Sequence, residues 1–365
     1  MLRTLLTALG RVGGYLIAFI IGVFLVHSWF KSNFLAPVVP GSTEQVYFEV
    51  GKGSNLKTIS EELENRSLLK NWYSLYYLSK LKGNSDQLKI LAGEYQLSPG
   101  FPPLKIFDIL TSGKIVQHPI MIPEGVNVRL IAELMAKTGL VTLEAANRAM
   151  TDQALMRQLE VPALTPEGFL FPETYHFSKP ITAEQIIARI VQEGNKRMDD
   201  GIRNWRDRAK ELGFTPYQAM VLASIIEKET GKPEERGLIA SVFHNRLRIG
   251  MPLQSDPTVI YGIPNFNGNL TKEDLKTPGP YNSYLNTGLP PTPICSPGLD
   301  SLKAALYPDD TDYLYFVSKG DGSHHFSATY KEHTQAVNNY QRAVPPSQKP
   351  PVPPASPAEM PAATP

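Results

Sequence analysis

A nearly continuous apolar pattern lies in residues 215–231. Thr215 and Pro216 are signals for the start of a helix, and Gly231 is a signal for its end. Between them, apolar residues point in almost every direction around the helix axis, so the pattern predicts a helix buried on nearly all sides. The apolar positions are Ala219, Met220, Val221, Leu222, Ala223, Ile225 and Ile226.

This predicted helix also carries two acids, Glu227 and Glu229, each projecting from apolar surface. Burying a carboxylate is costly unless it is paired or stays protonated. A carboxyl group whose pKa is raised by burial is suited to act as a general acid at neutral pH. The alternative is that both acids are structural and are held by basic partners such as Arg236 and Arg246.

A second apolar run, residues 12–30, predicts a transmembrane helix. Apart from His27 and Ser28 it is apolar, and at about 1.5 Å per residue it is long enough to cross roughly 30 Å of hydrocarbon. Arg3 and Arg11 precede it, which favours an N-terminus in the cytoplasm. A cleaved signal peptide is the alternative, but the run exceeds the usual length of about 7 to 15 residues.

The rest of the chain mixes strand-like and helix-like periods, which predicts an α+β, multidomain protein. Predicted strands are 47–50, 93–97 and 116–122, with a glycine-turned hairpin formed by 313–318 and 324–327. Predicted helices cover the region from Leu56 to Leu63 and residues 72–81, 104–112, 128–138, 143–150, 183–209, 237–249 and 329–342.

These elements and the changes in composition divide the chain into six predicted parts. They are a cytoplasmic N-terminus (1–11), a transmembrane anchor (12–30), a linker (31–44), a small α+β unit (45–116), a larger α+β domain (117–343) and a proline-rich disordered tail (344–365).

Charge and composition exclude several classes of function. The net charge of +1 and the lack of a basic domain argue against nucleic-acid binding. The single Cys295 forms no intramolecular disulfide and no paired-cysteine metal site. His324 and His325 face opposite sides of a predicted strand, which is poor metal-binding geometry. We therefore predict neither a metal nor a cofactor.

A short pattern recurs in the N-terminal half. Gly53 and Asn55 follow one strand-like run in the way that Gly125 and Asn127 follow another. The first copy, within residues 45–116, resembles the strand-turn-helix opening of LysM modules, which bind N-acetylhexosamine glycans. A structural spacer without glycan affinity is the alternative, because strand-turn-helix units are common in small α+β domains.

Polar and aromatic side chains concentrate in three predicted loops. Glu167 and Glu173 lie in a proline-bounded region, where they either line a cleft or cap turns. Two further loops have the mixture of tyrosines and amides that a glycan groove needs. They contribute Gln254, Ser255 and Asp256 before Pro257, and Tyr281, Asn282 and Tyr284 within residues 277–298.

Several motifs in one order resemble the YceG-like family of endolytic murein transglycosylases. They are Ser-Ile-Ile-Glu-Lys-Glu from Ser224, Ser-Val-Phe-His-Asn-Arg-Leu from Ser241, Leu-Gln-Ser-Asp-Pro-Thr-Val-Ile-Tyr-Gly from Leu253, Tyr-Asn-Ser-Tyr from Tyr281, Gly-Leu-Pro-Pro from Gly288 and Tyr-Leu-Tyr-Phe-Val from Tyr313. Thr292 stands where the family often has glycine, which leaves the details of the substrate loop open.

The resemblance implies a single-pass enzyme of the inner membrane, with its catalytic domain in the periplasm, that cleaves peptidoglycan within the glycan strand. It maps the family's catalytic glutamate onto Glu227. We assign supporting roles as hypotheses: Glu229 and Asn245 orient Glu227, Gln254, Ser255 and Asp256 position the sugar, and Tyr281, Asn282 and Tyr284 hold the strand. Peptidoglycan synthases are expected as partners.

Two other functions remain open from the sequence. The first is a muramidase, in which Asp256 or Glu229 activates water. The second is a non-catalytic scaffold that binds peptidoglycan through residues 45–116 and recruits synthases through the tail. A binding module gains nothing from the cost of burying Glu227, which separates the second alternative from an enzyme.

Overall fold

The computed structural model describes residues 2–81 and 89–342, with side chains from residue 13 to 341 within those ranges. The predicted proline-rich tail, 344–365, lies outside the described residues. The chain divides into two compact units: unit 1 comprises Met1–Pro119 and His176–Thr182, and unit 2 comprises Ile120–Tyr175 and Ala183–Pro365. The return of residues 176–182 to unit 1 was not predicted from the sequence.

Unit 1 begins with a long helix and continues as a small α+β layer structure. Its elements are α1 (Leu2–Phe30), β1 (Val46–Val50), α2 (Leu56–Asn65), α3 (Tyr73–Leu81), β2 (Gly93–Leu97) and α4 (Pro103–Thr111). Strands β1 and β2 pair antiparallel, with Phe48 opposite Tyr95. The inner face of this sheet packs with α2, α3 and α4 around Leu63, Leu75 and Leu110, while Tyr47 on the outer face is exposed.

Within unit 1, the segment Gly13–Leu35 is long and apolar enough to cross a membrane, and the remainder of the unit covers almost none of its surface. The length and composition of this segment agree with the predicted anchor.

The repeated glycine-asparagine pattern produces the same local structure twice. Gly53 and Gly125 both have left-handed backbones, with φ of +79° and +75°. Asn55 and Asn127 follow, and each side chain accepts the N–H of the residue three positions later to cap a helix. The capped strand-turn-helix is therefore observed in both places, and its LysM-like character stays a prediction.

Two short strands lie at the points where the chain crosses between the units. They are β3 (His118–Ile122) and β4 (Glu173–Phe177), which pair in a two-stranded sheet. The sequence did not predict β4, because its residues follow Pro172 within a region that has strong turn signals.

Unit 2 is mainly helical. Its helices are α5 (Val128–Lys137), α6 (Leu143–Met150), α7 (Gln153–Gln158), α8 (Ala183–Gly201), α9 (Trp205–Glu211), α10 (Pro216–Glu229), α11 (Arg236–Arg248), α12 (Asp256–Gly262), α13 (Leu299–Leu306) and α14 (Tyr330–Val337). The hairpin of β5 (Tyr315–Ser318) and β6 (His324–Ser327) is antiparallel, as predicted. Helices α7 and α13 were not predicted.

The single helix predicted for residues 183–209 is wrong, because the structure has two helices there. Gly201 ends α8 against Leu299, and an added Cβ at residue 201 would lie 2.4 Å from a Leu299 methyl carbon. Asn204 then adopts a left-handed backbone with φ of +55°. A non-glycine residue in that conformation breaks the helical path, and Trp205 starts α9.

Helix α10 forms the centre of unit 2. Thr215 caps its first turn in a reciprocal pair of hydrogen bonds with Gln218, and Pro216 occupies the first helical position. Every residue from Ala219 to Ile226 is buried, which confirms the prediction of a helix surrounded by protein. Its last turn carries Glu227 and Glu229.

Candidate active site

The two glutamates of α10 point to different sides of the helix. They are two residues apart, which separates their directions by about 200° around the axis. Each one therefore meets a different set of residues. The structure separates the two candidates that helical periodicity alone left equivalent.

Glu227 is held by a backbone donor and lies near a cation. Its side chain is 7 % exposed, and its Oε2 accepts the backbone N–H of Gly298 at 2.9 Å. Gly298 is the N-cap residue of α13, so the carboxyl group lies at the positive end of that helix. Oε1 lies 3.9 Å from Nη2 of Arg236, which is too long for a hydrogen bond.

Two loops fix the surroundings of Glu227. Gly125 and Val126 exchange backbone hydrogen bonds with Ser296, at 2.9 and 2.7 Å. The Ser224 hydroxyl accepts the N–H of Ile294 at 3.0 Å, so the second loop is also tied to α10. Because both loops are bonded to each other or to α10, the donor on Gly298 is fixed before any ligand arrives.

Glu124 is a second acid beside Glu227, and it was not predicted from the sequence. Its Oε2 lies 3.9 Å from the same Arg236 nitrogen that Glu227 approaches, and Asp300 lies 4.0 Å from the other terminal nitrogen. Partial burial and the charge of Glu227 raise the pKa of Glu124, while Arg236 opposes the rise. The available sequence signal was its position immediately before the Gly125 turn.

Arg236 is therefore the common neighbour of three carboxyl groups. Its side chain is only 12 % exposed, and its buried Nε has no hydrogen-bond partner among the residues that the structure describes. Arg236 is one of the basic residues predicted as structural partners for the glutamates, and in the structure it lies beside Glu227. A guanidinium with loose contacts and an unused donor can also interact with a polar group of a substrate.

Glu229 belongs to a different group of residues. It accepts a short hydrogen bond from the Ser255 hydroxyl, and burial raises its pKa to about 7, against the opposing charge of Arg246. Next to Ser255, Asp256 accepts the hydroxyl of Tyr284 at 2.6 Å. The predicted residues Glu229, Ser255, Asp256 and Tyr284 thus come together, but on the side of α10 away from Glu227.

Gln254 adjoins this second group and has an unusual backbone. Its φ is +50°, its side chain is exposed, and its N–H donates to the carbonyl oxygen of Ser283 at 2.9 Å. A non-glycine residue in a left-handed conformation is often found where function constrains the chain. The exposed amide is available to a ligand.

Two predicted site residues hold the fold instead. Asn245 donates to the carbonyl oxygens of Thr311 and Tyr313, at 2.7 and 3.0 Å, so its amide is directed away from Glu227. Asn282 is buried and donates to the carbonyl oxygens of residues 275 and 277, at 3.1 and 2.8 Å. Both amides thus satisfy buried backbone carbonyl groups, which are costly to leave unpaired, and their supporting roles toward the substrate stay predictions.

Tyr281 and Glu167 belong to a third, partly buried network. Glu167 accepts the N–H of Val128, at the first turn of α5, and the hydroxyl of Tyr261 at 2.9 Å. The Tyr261 ring contacts the Tyr281 ring edge-on, with 4.9 Å between centroids. The hydroxyl groups of Tyr281 and Thr292 form a hydrogen bond. Burial raises the pKa of Glu167 to about 7. Of the two predicted roles of Glu167, the structure has the capping role, at the first turn of α5.

The site around Glu227 thus combines a carboxyl group oriented by a backbone donor, a neighbouring cation and a second, more exposed acid. Such a group can transfer a proton to and from a bound substrate. Among the residues that the structure describes, no three His, Cys, Asp or Glu side chains are arranged to hold a metal ion.

Comparisons with known proteins agree on one family. The sequence profile of the YceG-like family matches residues 48–339. A protein named endolytic murein transglycosylase from Bacillus subtilis is 33 % identical over 87 % of this chain and 90 % of its own length. A protein of the same name from Streptococcus pneumoniae is 28 % identical over 83 % of this chain and 60 % of its own length.

The fold comparison gives the same result. A crystal structure of a yceG-like protein from Listeria monocytogenes matches with a TM-score of 0.56 and 32 % identity, covering 81 % of this chain and 100 % of that one. The profile match extends over most of the chain and includes all the residues around Glu227 described above. The chain therefore belongs to the YceG-like family.

Proposed function

We propose that this protein is a membrane-anchored endolytic peptidoglycan transglycosylase. It cleaves the β-1,4 bond between N-acetylmuramic acid and N-acetylglucosamine within a glycan strand and leaves a 1,6-anhydro end. The observation that carries the proposal is the Glu227 carboxyl group, held by the Gly298 N–H beside Arg236 in a chain with transglycosylase relatives.

The proposed reaction uses one acid twice. Glu227 gives its proton to the glycosidic oxygen while the bond from C1 to that oxygen breaks and positive charge develops on the ring. The C6 hydroxyl of the same muramoyl residue then bonds to C1, and Glu227 takes the hydroxyl proton. Because the nucleophile is intramolecular, the reaction needs no second carboxylate to activate water.

Arg236 and Glu124 tune this step. When Glu227 loses its proton, Arg236 and the N–H of Gly298 stabilise the new negative charge. The guanidinium acts through its positive charge and its N–H donors and does not itself transfer a proton to the substrate. Glu124, with a side chain that is 52 % exposed, approaches the same cation and can reach a strand from solvent.

The anchor determines where the enzyme works. Segment 13–35 crosses the cytoplasmic membrane once, with the N-terminus inside and the chain after residue 35 outside, in the periplasm of a Gram-negative cell. A catalytic unit tethered there acts on strands close to their site of synthesis and influences strand length. Peptidoglycan synthases are the partners that this location implies.

One observation supports a second candidate. Hydrolysis needs another carboxyl group near the first, and Glu124 shares a cation with Glu227. A muramidase would therefore use Glu124 as its base, whereas Asp256 and Glu229 belong to the other side of α10. The non-catalytic scaffold lacks a comparable reason to bury Glu227.

Mass spectrometry of the products tests these alternatives. The full-length protein in detergent is incubated with peptide-bearing glycan strands, beside Glu227→Gln and Glu124→Gln. Internal fragments with anhydro-muramoyl ends, absent with Glu227→Gln and reduced but still present with Glu124→Gln, support the proposal. Reducing ends, one water heavier, would establish a hydrolase. No cleavage by folded protein would favour the scaffold.

A further inference from the structure

Helix α3 of unit 1 has two different apolar faces. Leu75 and Leu78 lie on the inner face, buried in the core of the unit. The outer face repeats at helical spacing and is exposed, with Tyr76 at 48 %. Its members are Tyr73, Tyr76, Tyr77, Lys80 and Leu81. Three neighbouring tyrosines on the outside of a small unit are a large apolar surface to leave in water.

This outer face adjoins the end of the anchor. The Tyr77 ring contacts Phe30, the last residue of α1, with 5.0 Å between centroids and an angle of 71°. Lys70, just before α3, donates to the carbonyl oxygen of Ser32 at 3.2 Å. An open apolar groove runs between α1 and Tyr77, lined also by Phe19, Val23 and Val26. Helix α3 is therefore fixed at one end of the membrane-spanning segment.

The anchor sets the depth of that end. Segment 13–35 is about 34 Å long as a helix, slightly more than the hydrocarbon thickness of a bilayer. Phe30 and Phe34, which stack at 5.0 Å, thus lie near the boundary between hydrocarbon and headgroups. Tyrosine is enriched at this boundary because its ring is apolar and its hydroxyl stays hydrated.

The charges near α3 also fit a lipid surface. Lys31, Lys70 and Lys80 are exposed around the aromatic face, and Lys80 lies 5.6 Å from the centre of the Tyr76 ring. Long basic side chains beside an apolar helix face extend toward phosphate groups while their methylenes remain in apolar surroundings.

We propose that the outer face of α3 is a second membrane contact, which lies in the headgroup region of the leaflet at the C-terminal end of the anchor. The inference rests on the membrane anchoring proposed above. Tyr73, Tyr76 and Tyr77 enter the interface to a depth of about 5–10 Å, as amphipathic surface helices do. The contact fixes the part of unit 1 that follows the anchor against the bilayer instead of leaving it on a free tether.

Two other occupants would use the same chemistry, a glycan strand stacked on the tyrosines or a helix of a partner protein. The contact between α3 and the anchor favours lipid. The Tyr77 ring lies 5.0 Å from the Phe30 ring, so a bilayer that surrounds Phe30 also reaches Tyr77. In the test below, glycan binding has its own outcome, and a face that binds a partner protein instead of lipid would leave the probe at 76 no more quenched by headgroup labels than the probe at 47.

The test places one fluorescent probe at a time in the full-length protein, reconstituted into phosphatidylcholine and phosphatidylglycerol nanodiscs. The background is Cys295→Ser, which removes the single, buried cysteine. Probes are attached to Tyr76→Cys, to the control Tyr47→Cys and to Val23→Cys in the anchor. Tyr47 is a matched control, because it is 54 % exposed but lies on the sheet face opposite the helices of unit 1. Spin-labelled lipids then quench each probe at defined depths.

We expect headgroup spin labels to quench the probe at residue 76 at least about threefold more than the probe at 47, and deep labels to quench the probe at 23. Equal quenching at 76 and 47, with residue 23 quenched, would overturn the inference and leave the anchor intact. An unquenched probe at 23 would instead refute the anchor. A probe at 76 that is shielded only after glycan fragments are added would assign the face to sugar and overturn the lipid contact.

Discussion

Gly298 donates its backbone N–H to Glu227 at 2.9 Å, and its α-carbon lies directly against the side chain of Glu124. A single backbone position therefore orients one carboxyl group and sets the approach of another. The backbone of Gly298 is extended, with φ of −73°, so any residue can adopt it. Only the close approach of Glu124 requires glycine here.

Gly298→Ala should displace Glu124 without breaking the fold. The new Cβ would lie 2.0 Å from Glu124 Oε1, and the half-exposed glutamate side chain would swing into solvent. We expect activity to fall about tenfold and the free energy of unfolding to change by less than about 1 kcal/mol. Kinetics on glycan strands and thermal unfolding measure the two effects.

The matched control is Gly279→Ala, since nothing lies within 4 Å of a Cβ at that position. In a Glu124→Ala background, Gly298→Ala should have almost no further effect, because the clash is gone. Equal losses in both backgrounds would show that the glycine acts through Glu227 alone.

Arg236→Gln should impair catalysis far more than stability. The substitution removes the cation shared by Glu227, Glu124 and Asp300, while the lost contacts are ion pairs of 3.9–4.0 Å. We expect kcat to fall about 100-fold, as for other charge-stabilising groups. Because Arg236 lowers the pKa of Glu124, Glu124 should also retain its proton to higher pH in the variant. Arg236→Lys should recover only part of the rate.

The control for this prediction is Arg197→Gln. Arg197 also bridges carboxylates, Glu173 and Glu193, but it is half-exposed on the surface. If both variants lose the same activity, the effect of Arg236 is general and not specific to the site. A pH–rate profile with an unchanged shape would likewise argue against the electrostatic role.

Glu167→Gln should flatten the dependence of stability on pH. Burial raises the pKa of Glu167 in the folded state from 4.5 to about 7. The folded state therefore favours the protonated form, so the stabilisation is complete below pH 4.5 and is lost as pH rises to about 7. At pH 8 the glutamine variant should be more stable than the parent, by up to about 3 kcal/mol. Urea unfolding at pH 4.5, 6 and 8 measures the change.

Some pH dependence should remain in this variant because the pKa of Glu229 is also about 7. The double variant with Glu229→Gln should be flatter still over the same range. A Glu167→Gln protein that loses the same stability between pH 4.5 and 8 as the parent would contradict the assignment.

Tyr284→Phe and Asp256→Asn should not have additive effects. The Tyr284 hydroxyl donates to Asp256 at 2.6 Å, so either change removes the same charge-assisted hydrogen bond. If the pair positions the sugar, each variant raises KM several-fold at nearly constant kcat, and the double variant resembles the singles to within about 0.5 kcal/mol. Additive effects on KM would mean that the two side chains contact the substrate independently.

The elements that the sequence predicted well are those with strong local signals. The apolar surface of α10 and its Thr215 cap each depend on residues a few positions apart. The break at Asn204 was missed, because an asparagine can continue a helix or take the left-handed conformation according to its packing. Tertiary contact between Gly201 and Leu299 decides between them.

The site was predicted only in part, because its contacts join residues that are far apart in the sequence. Ser255, Asp256 and Tyr284 do cluster, but with Glu229, whereas two neighbours of the Glu227 site, Glu124 and Gly298, come from distant segments. Glu124 and Gly298 lie more than 170 residues apart in sequence, and neither has a local pattern that marks it. The amides of Asn245 and Asn282 have the chemistry of ligands but are directed toward backbone groups, which composition cannot reveal.

Unit 1 is not a continuous piece of chain, since it regains residues 176–182 after a long excursion. Among those residues, Lys179 lies 3.5 Å from Glu94 of β2, which His118 also contacts. A gene cut at residue 116 would therefore encode an incomplete module, and transplanting residues 45–116 into another protein would omit part of its own structure. On the ribosome, this small unit becomes complete only after residue 182 has emerged, so its assembly must wait for about sixty residues of its larger neighbour.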